Sequence, residues 1–469
     1  MADLTNLSAR ELAAGYRAKE FSAVDVTKAH LSVIEKRNPE LNVFLEVYDD
    51  ALKNAAAADT ELAQNSTAHP LTGVPIAVKD NILVKGKRAS AGSKMLENYV
   101  ATYDATCIER LKSKSTVLLG RVNMDEFAMG TSTEHSAYGP TRNPVDPTRV
   151  PGGTSGGSVA AVAAHMAPIA LGTDTGGSVR QPASLCGVYG FKPTYGGISR
   201  HGLMAMGSSL DQLGITARTV ADIEAVFETV RGPDPMDGTT LPLGQGPAIT
   251  KRVGVPRAFV KDAQPDVVAE FEKGLEVLVK QGYDIVDIEL PTAPLALAAY
   301  YIIMPAELST NLARYDGVRY GLHVDGASLK EDYKLSRAAG FGAETRRRII
   351  LGTYVLSHGY YDAYYRRAVA LRAALAKEFS EVFKSVSYIA TPTAPGPAFK
   401  IGEKLDPLSL YLEDIFTVSA NLAGVPALSA PFGTVVRDGT PLPVGIQFMA
   451  EKRGEQALFT IGRDLMDEA

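Results

Sequence analysis

Apolar and polar residues along the first 65 positions alternate at helical spacing. Serine stands three residues before an acid at 8–11 and again at 22–25, the pattern of a capping box that begins a helix. Residues 1 to about 65 are therefore predicted to form scaffold helices. The residues that recur at helical spacing are Val24, Val26, His30, Leu31 and Ile34.

A continuous apolar run at 74–78 predicts a buried β-strand that ends in a lysine. Even-numbered positions share one face of this strand, and odd-numbered positions, which end at Lys79, share the other. The Lys79 ammonium must therefore reach solvent, pair with an acid such as Asp80, or stay dry with a lowered pKa.

Two glycine-rich loops with hydroxyl groups flank an alanine-rich stretch at 158–166. We predict that this stretch is a short helix and that residues 169–173 form a strand. About nine helical residues span ~13 Å and about five extended residues span ~16 Å, so the strand returns the chain to the start of the helix. Ser178 in the second loop is then expected near Thr154 and Ser155 in the first.

The second half of the chain mixes helical and strand patterns. A segment rich in glycine and proline at 232–256 is the best candidate for a boundary between two halves, or else a long surface loop. Helices are predicted at 219–230, 263–281 and 295–315, and strands at 283–289 and 388–391.

Composition favours an ordinary globular protein. The 469 residues are 45% hydrophobic and 22% charged, which provides ample material for a buried core. With neither a signal-like apolar segment at its start nor an apolar run long enough to span a bilayer, the chain is expected to be cytoplasmic. The net charge of −5 argues against a broad nucleic-acid surface, so an RNA partner is expected to be held mainly by another subunit.

The two cysteines and the isolated charges offer little chemistry by themselves. Cys107 and Cys186 lack metal-ligand spacing and are expected to be small buried hydrophobes. Asp125 and His135 suit either acid–base work or hydrogen bonding within a loop. The arginines at 346–348 suit a solvated face, although one arginine can pair with a substrate carboxylate.

The glycine loops allow several interpretations. Glycines let the backbone approach a ligand and aim N–H groups at it, which suits an anion site or an oxyanion hole. A phosphate-binding P-loop requires a lysine after the second glycine, whereas Gly157 is followed by Ser158. GTSGG at 153–157 matches a nucleophile elbow, but a proline-rich segment precedes it instead of a strand. Two purely structural turns remain an alternative.

Three motifs, in their order and spacing, resemble the amidase signature family. Other segments, among them NMDEFAMGTSTEHSAYGPTRNP and LGTYVLSHGYYDAYYRRA, are similar to the branch formed by the A subunits of the aspartyl/glutamyl-tRNA amidotransferases. The resemblance covers essentially the whole chain. The three motifs are GVPIAVKDN around Lys79, PGGTSGGS at 151–158 and GTDTGGSVRQPASLCGVYGFKPT at 172–194.

The resemblance implies an α/β fold with one large mixed β-sheet sandwiched between layers of helices. It implies a single domain over 1–469, with N-terminal helices at 1–65, a signature core at about 72–216 and a substrate-completing half at about 250–469. The implied activity is release of ammonia from glutamine. Whether the ammonia serves tRNA(Gln), tRNA(Asn) or both stays open.

The same resemblance implies a heterotrimer. A B subunit would use ATP and Mg²⁺ to amidate the mischarged tRNA that it holds, and a small C subunit would help assembly. This chain itself is expected to bind no cofactor, metal or membrane.

Site residues are carried over from the family motifs position by position. Ser178 is the implied nucleophile and Lys79 the base. Thr154 takes the relay position, where the family usually has a serine on a cis peptide bond. Backbone N–H groups of Thr175, Gly176, Gly177 and Ser178 are the implied oxyanion donors. Asp414 is implied for the substrate ammonium, for which a helix cap is the alternative, and Arg348, less firmly Arg347, for the carboxylate.

Elementary chemistry supports the implied triad. A serine hydroxyl needs a base, and a lysine serves only if burial brings its pKa from ~10.4 to ~7–8, which costs roughly 4 kcal/mol. Two alternatives remain. One alternative is a free-standing amidase acting on another amide. The other is a non-catalytic assembly subunit whose triad has decayed at Thr154.

Overall fold

The N-terminal part of the chain is a helical layer with one short strand. The structure is a computed structural model that describes residues 3–65, 67–404 and 406–466; the other positions of the predicted domain lie outside the described residues. Both predicted capping boxes are present, because Ser8 and Ser22 each exchange hydrogen bonds with the acid three residues on. The elements are α1 (Ala9–Ala18), α2 (Ala23–Leu41), β1 (Phe44–Val47) and α3 (Ala51–Gln64).

The middle of the chain alternates strands and helices. The helix predicted at 158–166 begins two residues earlier, directly on the glycine pair, and the strand predicted at 169–173 is confirmed. The elements are β2 (Pro75–Lys79), α4 (Thr106–Lys112), β3 (Val117–Val122), α5 (Gly156–Ala163), β4 (Ile169–Thr173), α6 (Arg180–Cys186), β5 (Tyr189–Lys192), β6 (Leu213–Ala217) and α7 (Val220–Val230).

The C-terminal half is mostly helical, with five strands. The predicted helices at 263–281 and 295–315 are present but slightly shorter. The elements are β7 (Arg252–Val255), α8 (Arg257–Val260), α9 (Pro265–Lys280), β8 (Asp284–Asp287), α10 (Ala296–Asn311), α11 (Leu329–Gly340), α12 (Ala343–Val355), α13 (Arg366–Val382), β9 (Tyr388–Pro392), α14 (Pro407–Tyr411), α15 (Val418–Ala423), β10 (Ala427–Arg437), β11 (Thr440–Met449) and α16 (Glu455–Met466).

Strands from every part of the chain join one mixed sheet. Within the described residues it has eleven strands, in the order β1-β3-β2-β4-β6-β5-β10-β11-β9-β7-β8. The pairs β2/β3, β2/β4, β7/β8 and β7/β9 are parallel, and the others are antiparallel. β10 pairs with β5, so the glycine-rich segment at 232–256 connects two parts of one sheet.

Side chains of β2 confirm the predicted alternation. Ile76 and Val78 pack into one hydrophobic cluster, and Ala77 packs into another on the opposite face. Helices therefore cover both faces of the sheet, as the resemblance implied, and the odd-numbered face delivers Lys79 to a buried position beside α5. Among the described residues, every helix is too short or too polar to cross a lipid bilayer.

Candidate active site

Lys79, the last residue of β2, is fully buried and surrounded by hydroxyl groups. Its Nζ lies 2.9 Å from Thr154 Oγ1, 2.8 Å from Ser155 Oγ and 2.8 Å from Thr173 Oγ1, all within hydrogen-bond distance. Burial lowers the pKa of Lys79 to about 7, although three nearby carboxylates act in the opposite direction. Of the three environments predicted for the Lys79 amine, the structure shows the buried one with a lowered pKa.

Ser155 and Thr154 contact the lysine in different ways. Ser155 Oγ donates its only proton to the backbone carbonyl of Thr173 at 3.0 Å, so toward Lys79 its oxygen is an acceptor. Across the described residues, the Thr154 hydroxyl has Lys79 as its single hydrogen-bond partner. Of these two hydroxyl protons, the one on Thr154 is therefore the one that is free to move.

The two glycine-rich loops meet, as their predicted lengths required. Ser155 N–H donates to the backbone carbonyl of Ser178 at 3.1 Å. Gly152 and Gly153 make the turn before Thr154, with φ of 87° and 51° in the left-handed region. The described chain contains no cis peptide bond, whereas the resemblance implied one at Thr154.

Backbone N–H groups around Ser178 form the second part of the site. The N–H of Gly177 donates to Asp174 Oδ1 at 3.0 Å, so this predicted oxyanion donor is already engaged. Elsewhere in the described loop, the N–H groups of Thr175, Gly176 and Ser178 have no protein acceptor. These three remain as candidates to bind a developing negative charge.

A buried ion pair holds this loop in place. Arg180 Nη2 lies 2.8 Å from Asp174 Oδ1, and Arg180 Nε donates to Asp174 Oδ2 at 3.0 Å. Burial acts to raise the pKa of Asp174, but the charge of Arg180 outweighs it and holds the pKa below its usual value. Arg180 also reaches the C-terminal half, where it donates to the backbone carbonyl of Thr417 at 3.0 Å.

Asp414 lies on the C-terminal side of the site. Its carboxylate is buried and accepts a hydrogen bond from Tyr301 OH at 2.9 Å. Burial raises the pKa of Asp414 well above its usual value, despite that hydrogen bond. Asp414 is therefore not a helix cap exposed to water, and a positive group beside it would be strongly favoured.

Thr417 connects Asp414 to the nucleophile loop. Its Oγ1 lies 2.6 Å from the carbonyl oxygen of Gly176 and 3.1 Å from that of Asp414. A Cβ placed on Gly176 would lie 2.6 Å from the Tyr300 ring, so glycine is required for this close approach. The structure therefore brings the N-terminal catalytic candidates and Asp414 to one place.

Arg348 is buried on α12 beside two tyrosines. Its Nε donates to Glu344 Oε1 at 2.7 Å, while its Nη2 has no hydrogen-bond partner in the described structure. The guanidinium carbon lies 5.4 Å from the ring centroid of Tyr301 and 5.1 Å from that of Tyr411. A buried guanidinium with a free N–H edge is suited to binding a carboxylate.

Arg347, the weaker prediction for this role, points away from the site. Its side chain is half exposed and contacts the outer oxygen of Glu344. Neighbouring helical residues are turned by roughly 100° from each other, so both arginines cannot face the same pocket.

Sequence reasoning missed several residues that shape the site. Tyr301 was inside a segment assigned only to a helix, Glu344 and Tyr411 were in segments given no role, and nothing in the local pattern marked them. Asp211 was missed as well: it accepts a hydrogen bond from Thr175 Oγ1 at 2.7 Å, and burial raises its pKa to about 6. Its position shortly after Gly207, Ser208 and Ser209, residues typical of a turn, was the available signal.

Other candidates from the sequence are structural. Asp125 is buried and accepts backbone hydrogen bonds, including one from His135 N–H at 2.8 Å, which is the loop role predicted as an alternative. Cys107 and Cys186 are buried thiols, as predicted. The described ranges contain no group of three or more His, Cys, Asp or Glu side chains placed to hold a metal ion.

The mixed sheet and the paired glycine loops define the class of protein. The family model described as Amidase matches residues 25–459, and the chain belongs to this family. Within it, the chain is 48% identical to the A subunit of glutamyl-tRNA(Gln) amidotransferase from Chloroflexus aggregans over 473 aligned residues, which cover 98% of this chain and 96% of that protein. The A subunit of glutamyl-tRNA(Gln) amidotransferase from Thermus thermophilus is also 48% identical, and the alignment covers 94% of this chain and 93% of that protein.

Solved structures agree with this placement. The A subunit of glutamyl-tRNA(Gln) amidotransferase from Thermotoga maritima has a TM-score of 0.82 and 38% identity, with coverage of 100% of this chain and 96% of that chain. A peptide amidase from Stenotrophomonas maltophilia has a TM-score of 0.82 and 29% identity, with coverage of 98% and 96%. The comparisons confirm the family, the fold and the class of enzyme expected from the sequence.

Proposed function

We propose that this chain is the glutaminase subunit of a tRNA-dependent amidotransferase. It hydrolyses glutamine and supplies ammonia for the conversion of Glu-tRNA(Gln) to Gln-tRNA(Gln). The observation that carries the proposal is a buried lysine, with a pKa near 7, in contact with a mobile hydroxyl proton beside the Ser178 loop.

Neutral Lys79 starts the reaction as the base. Thr154 passes its proton to Lys79 Nζ and takes the proton of Ser178, whose oxygen attacks the side-chain amide carbon of glutamine. The carbonyl oxygen becomes an oxyanion, which the N–H groups of Thr175, Gly176 and Ser178 stabilise. Ser155 keeps the lysine in place throughout, because its own proton is bonded to a carbonyl.

Collapse of the tetrahedral intermediate breaks the carbon–nitrogen bond. The proton held on Lys79 returns through Thr154 to the leaving nitrogen, which departs as ammonia and leaves a glutamyl ester on Ser178. A water molecule then attacks this ester and loses its proton along the same relay. Glutamate is released, and the Ser178 hydroxyl and neutral Lys79 are regenerated.

Arg348 and Asp414 select the amino acid. The free N–H edge of Arg348 binds the α-carboxylate, and Asp414 binds the α-ammonium, whose charge favours ionisation of this buried acid. These contacts distinguish glutamine from an amide without charges. The pair favours a glutaminase over a general amidase.

The names of the curated relatives support a complex of several subunits. In this proposal a B subunit holds the mischarged tRNA and uses ATP and Mg²⁺, a C subunit helps assembly, and the complex works in the cytoplasm. This chain contributes the ammonia and no cofactor.

The test is Ser178→Ala in the assembled complex. Glutaminase activity and glutamine-dependent amidation should be lost, while ammonium salt still supports amidation, since only ammonia release needs the nucleophile. Failure of amidation with ammonia would contradict this division of labour.

The peptide amidase neighbour favours a second candidate, a free-standing amidase using the same triad. Hydrolysis of a simple or peptide amide faster than glutamine, unaffected by the partner subunits, would support that candidate. A fluorophosphonate that fails to label Ser178 in the folded chain would instead indicate a non-catalytic role in assembly.

A further inference from the structure

Glu344 lies at the junction between the two groups that bind the ends of the amino acid. It is in the first turn of α12, one helical turn before Arg348, and its side chain is 5% exposed. Glu344 Oε1 accepts a hydrogen bond from Arg348 Nε at 2.7 Å and another from Tyr411 OH at 2.9 Å. Burial acts to raise the pKa of Glu344, yet the charge of Arg348 brings it below its usual value, so the acid is ionised.

Arg348 and Asp414 lie in one buried site, and the raised pKa of Asp414 means that this acid ionises when a positive group approaches it. The charge of Arg348 acts on the Asp414 carboxyl, yet no ion pair within 4.0 Å joins them in the described part of the chain. In a dry pocket such a pair attracts strongly, and direct contact would satisfy both groups without any substrate. An empty site of this kind needs something that keeps Arg348 and Asp414 apart.

Each of the two groups is held by its own partner. Tyr301 OH donates to Asp414 Oδ2 at 2.9 Å, and Glu344 holds Nε of Arg348. The rings of Tyr301 and Tyr411 are stacked, with centroids 4.0 Å apart, and the guanidinium of Arg348 lies beside both rings. Tyr411 therefore links the α12 side of the pocket to the segment that carries Asp414.

We propose that Glu344 is a positioning residue that prevents Arg348 from pairing with Asp414 and so keeps the pocket open for a zwitterionic α-amino acid. The proposal rests on the proposed glutaminase function and assigns Glu344 no contact with the reacting atoms. Glu344 occupies the Nε side of the guanidinium, which leaves Nη2 for the substrate carboxylate. The negative charge of Glu344 offsets the positive charge of Arg348 while the pocket is empty.

The main test uses Glu344→Ala and Glu344→Gln in the assembled complex. Without the carboxylate, the guanidinium turns toward Asp414, and glutamine must separate the pair before it binds. The KM for glutamine should rise by about 10- to 100-fold in the alanine variant, the range expected for loss of a hydrogen bond to a charged group. The glutamine variant keeps an acceptor without the charge, so its KM should lie between the alanine variant and wild type.

Two readouts separate positioning from catalysis and from misfolding. The kcat should stay within about threefold of wild type, because the Lys79 relay is untouched. A small neutral fluorophosphonate should label Ser178 at the wild-type rate, because it needs neither charged contact. Arg347→Gln is the matched control: it removes the outer, half-exposed partner of Glu344 and should leave KM unchanged.

Tyr411→Phe provides a second test in case the Glu344 variants do not fold. It removes the hydroxyl contact to Glu344 but keeps the aromatic stack, and KM should rise by a smaller factor. An unchanged KM in folded Glu344 variants, or a fall in kcat with KM constant, would overturn the inference while leaving the glutaminase function in place. A wild-type complex that labels at Ser178 but does not hydrolyse glutamine would overturn both.

Discussion

Thr154 and Ser155 are consecutive residues whose hydroxyl oxygens lie 2.9 and 2.8 Å from Lys79 Nζ, yet only Thr154 keeps a proton free to move. The Ser155 proton is committed to the carbonyl of Thr173. In the proposed mechanism a threonine therefore stands at the relay position, with its oxygen placed against Lys79. The extra methyl group changes the shape of the side chain and leaves its proton chemistry intact.

Thr154→Ser and Thr154→Val separate the oxygen from the methyl group. The serine variant should keep kcat/KM for glutamine within a few-fold of wild type, because the relay oxygen remains. The valine variant should lose about 10²–10⁴ in rate, the usual contribution of a positioned acid–base group. The measurement is steady-state glutaminase kinetics in the assembled complex, with melting temperature as a check of folding.

Ser155→Ala is the companion variant for Thr154→Val. It removes one acceptor from Lys79 but no mobile proton, so we expect a loss of about tenfold or less, near 1 kcal/mol for one hydrogen bond. A folded Thr154→Val enzyme with wild-type activity, next to an inactive Ser155→Ala enzyme, would transfer the relay to Ser155.

Lys79→Arg should be nearly as damaging as Lys79→Ala. A guanidinium stays protonated in proteins, so it cannot accept the proton that leaves Ser178 through Thr154. The measurement is kcat for glutamine in both variants at pH 8. Retention of a tenth or more of wild-type kcat by the arginine variant would make Lys79 a structural residue.

The buried lysine also predicts how stability depends on pH. Its pKa of about 7 lies below the ordinary value of 10.5, so between these pH values the unfolded chain binds a proton that the native chain lacks. Relative to Lys79→Met, wild type should therefore gain up to about 1.4 kcal/mol of unfolding free energy per pH unit from about pH 7 to 10.

Below pH 7 both states of the wild-type lysine are protonated, and the difference from Lys79→Met should become constant. Urea unfolding of both proteins across this pH series measures the difference directly. A difference that does not vary with pH would mean that the lysine stays charged in the native protein.

Arg180→Met should destabilise the protein by about 3–5 kcal/mol, because it leaves Asp174 as a buried carboxylate without its counter-charge. The control is Arg437→Met, which breaks a partly exposed pair with Asp266 and should cost about 1 kcal/mol or less. Thermal unfolding of both variants gives the comparison. Equal losses would show that the Asp174–Arg180 pair adds no more than a surface pair does.

Much of the catalytic half was predictable from local pattern. The alternation along 74–78 already placed Lys79 at a buried strand end, and the lengths of α5 and β4 predicted that the two glycine loops meet. The family motifs then assigned roles to Thr154 and Ser178. Local rules sufficed because these groups are carried by short, adjacent elements.

The substrate half depends on contacts that no local pattern records. Glu344 and Tyr411 meet only because α12 and the end of α14 pack together in three dimensions. The choice between Arg347 and Arg348 required the rotation of α12, which a run of three arginines does not reveal. The hydrogen bond from Gly177 N–H to Asp174 likewise depends on the side-chain rotamer of Asp174 and not on the glycine motif.

The pairing of β10 with β5 has a consequence for the life of the protein in the cell. Ser429 pairs with Gly190, so the centre of the sheet is completed by β10 and β11, which are synthesised after the other nine described strands. A chain truncated before β10 would expose the edges of β5 and β9 to pairing with other chains. Premature termination should therefore yield aggregates that are degraded by proteolysis. It should not yield a partly active enzyme that hydrolyses glutamine without selectivity.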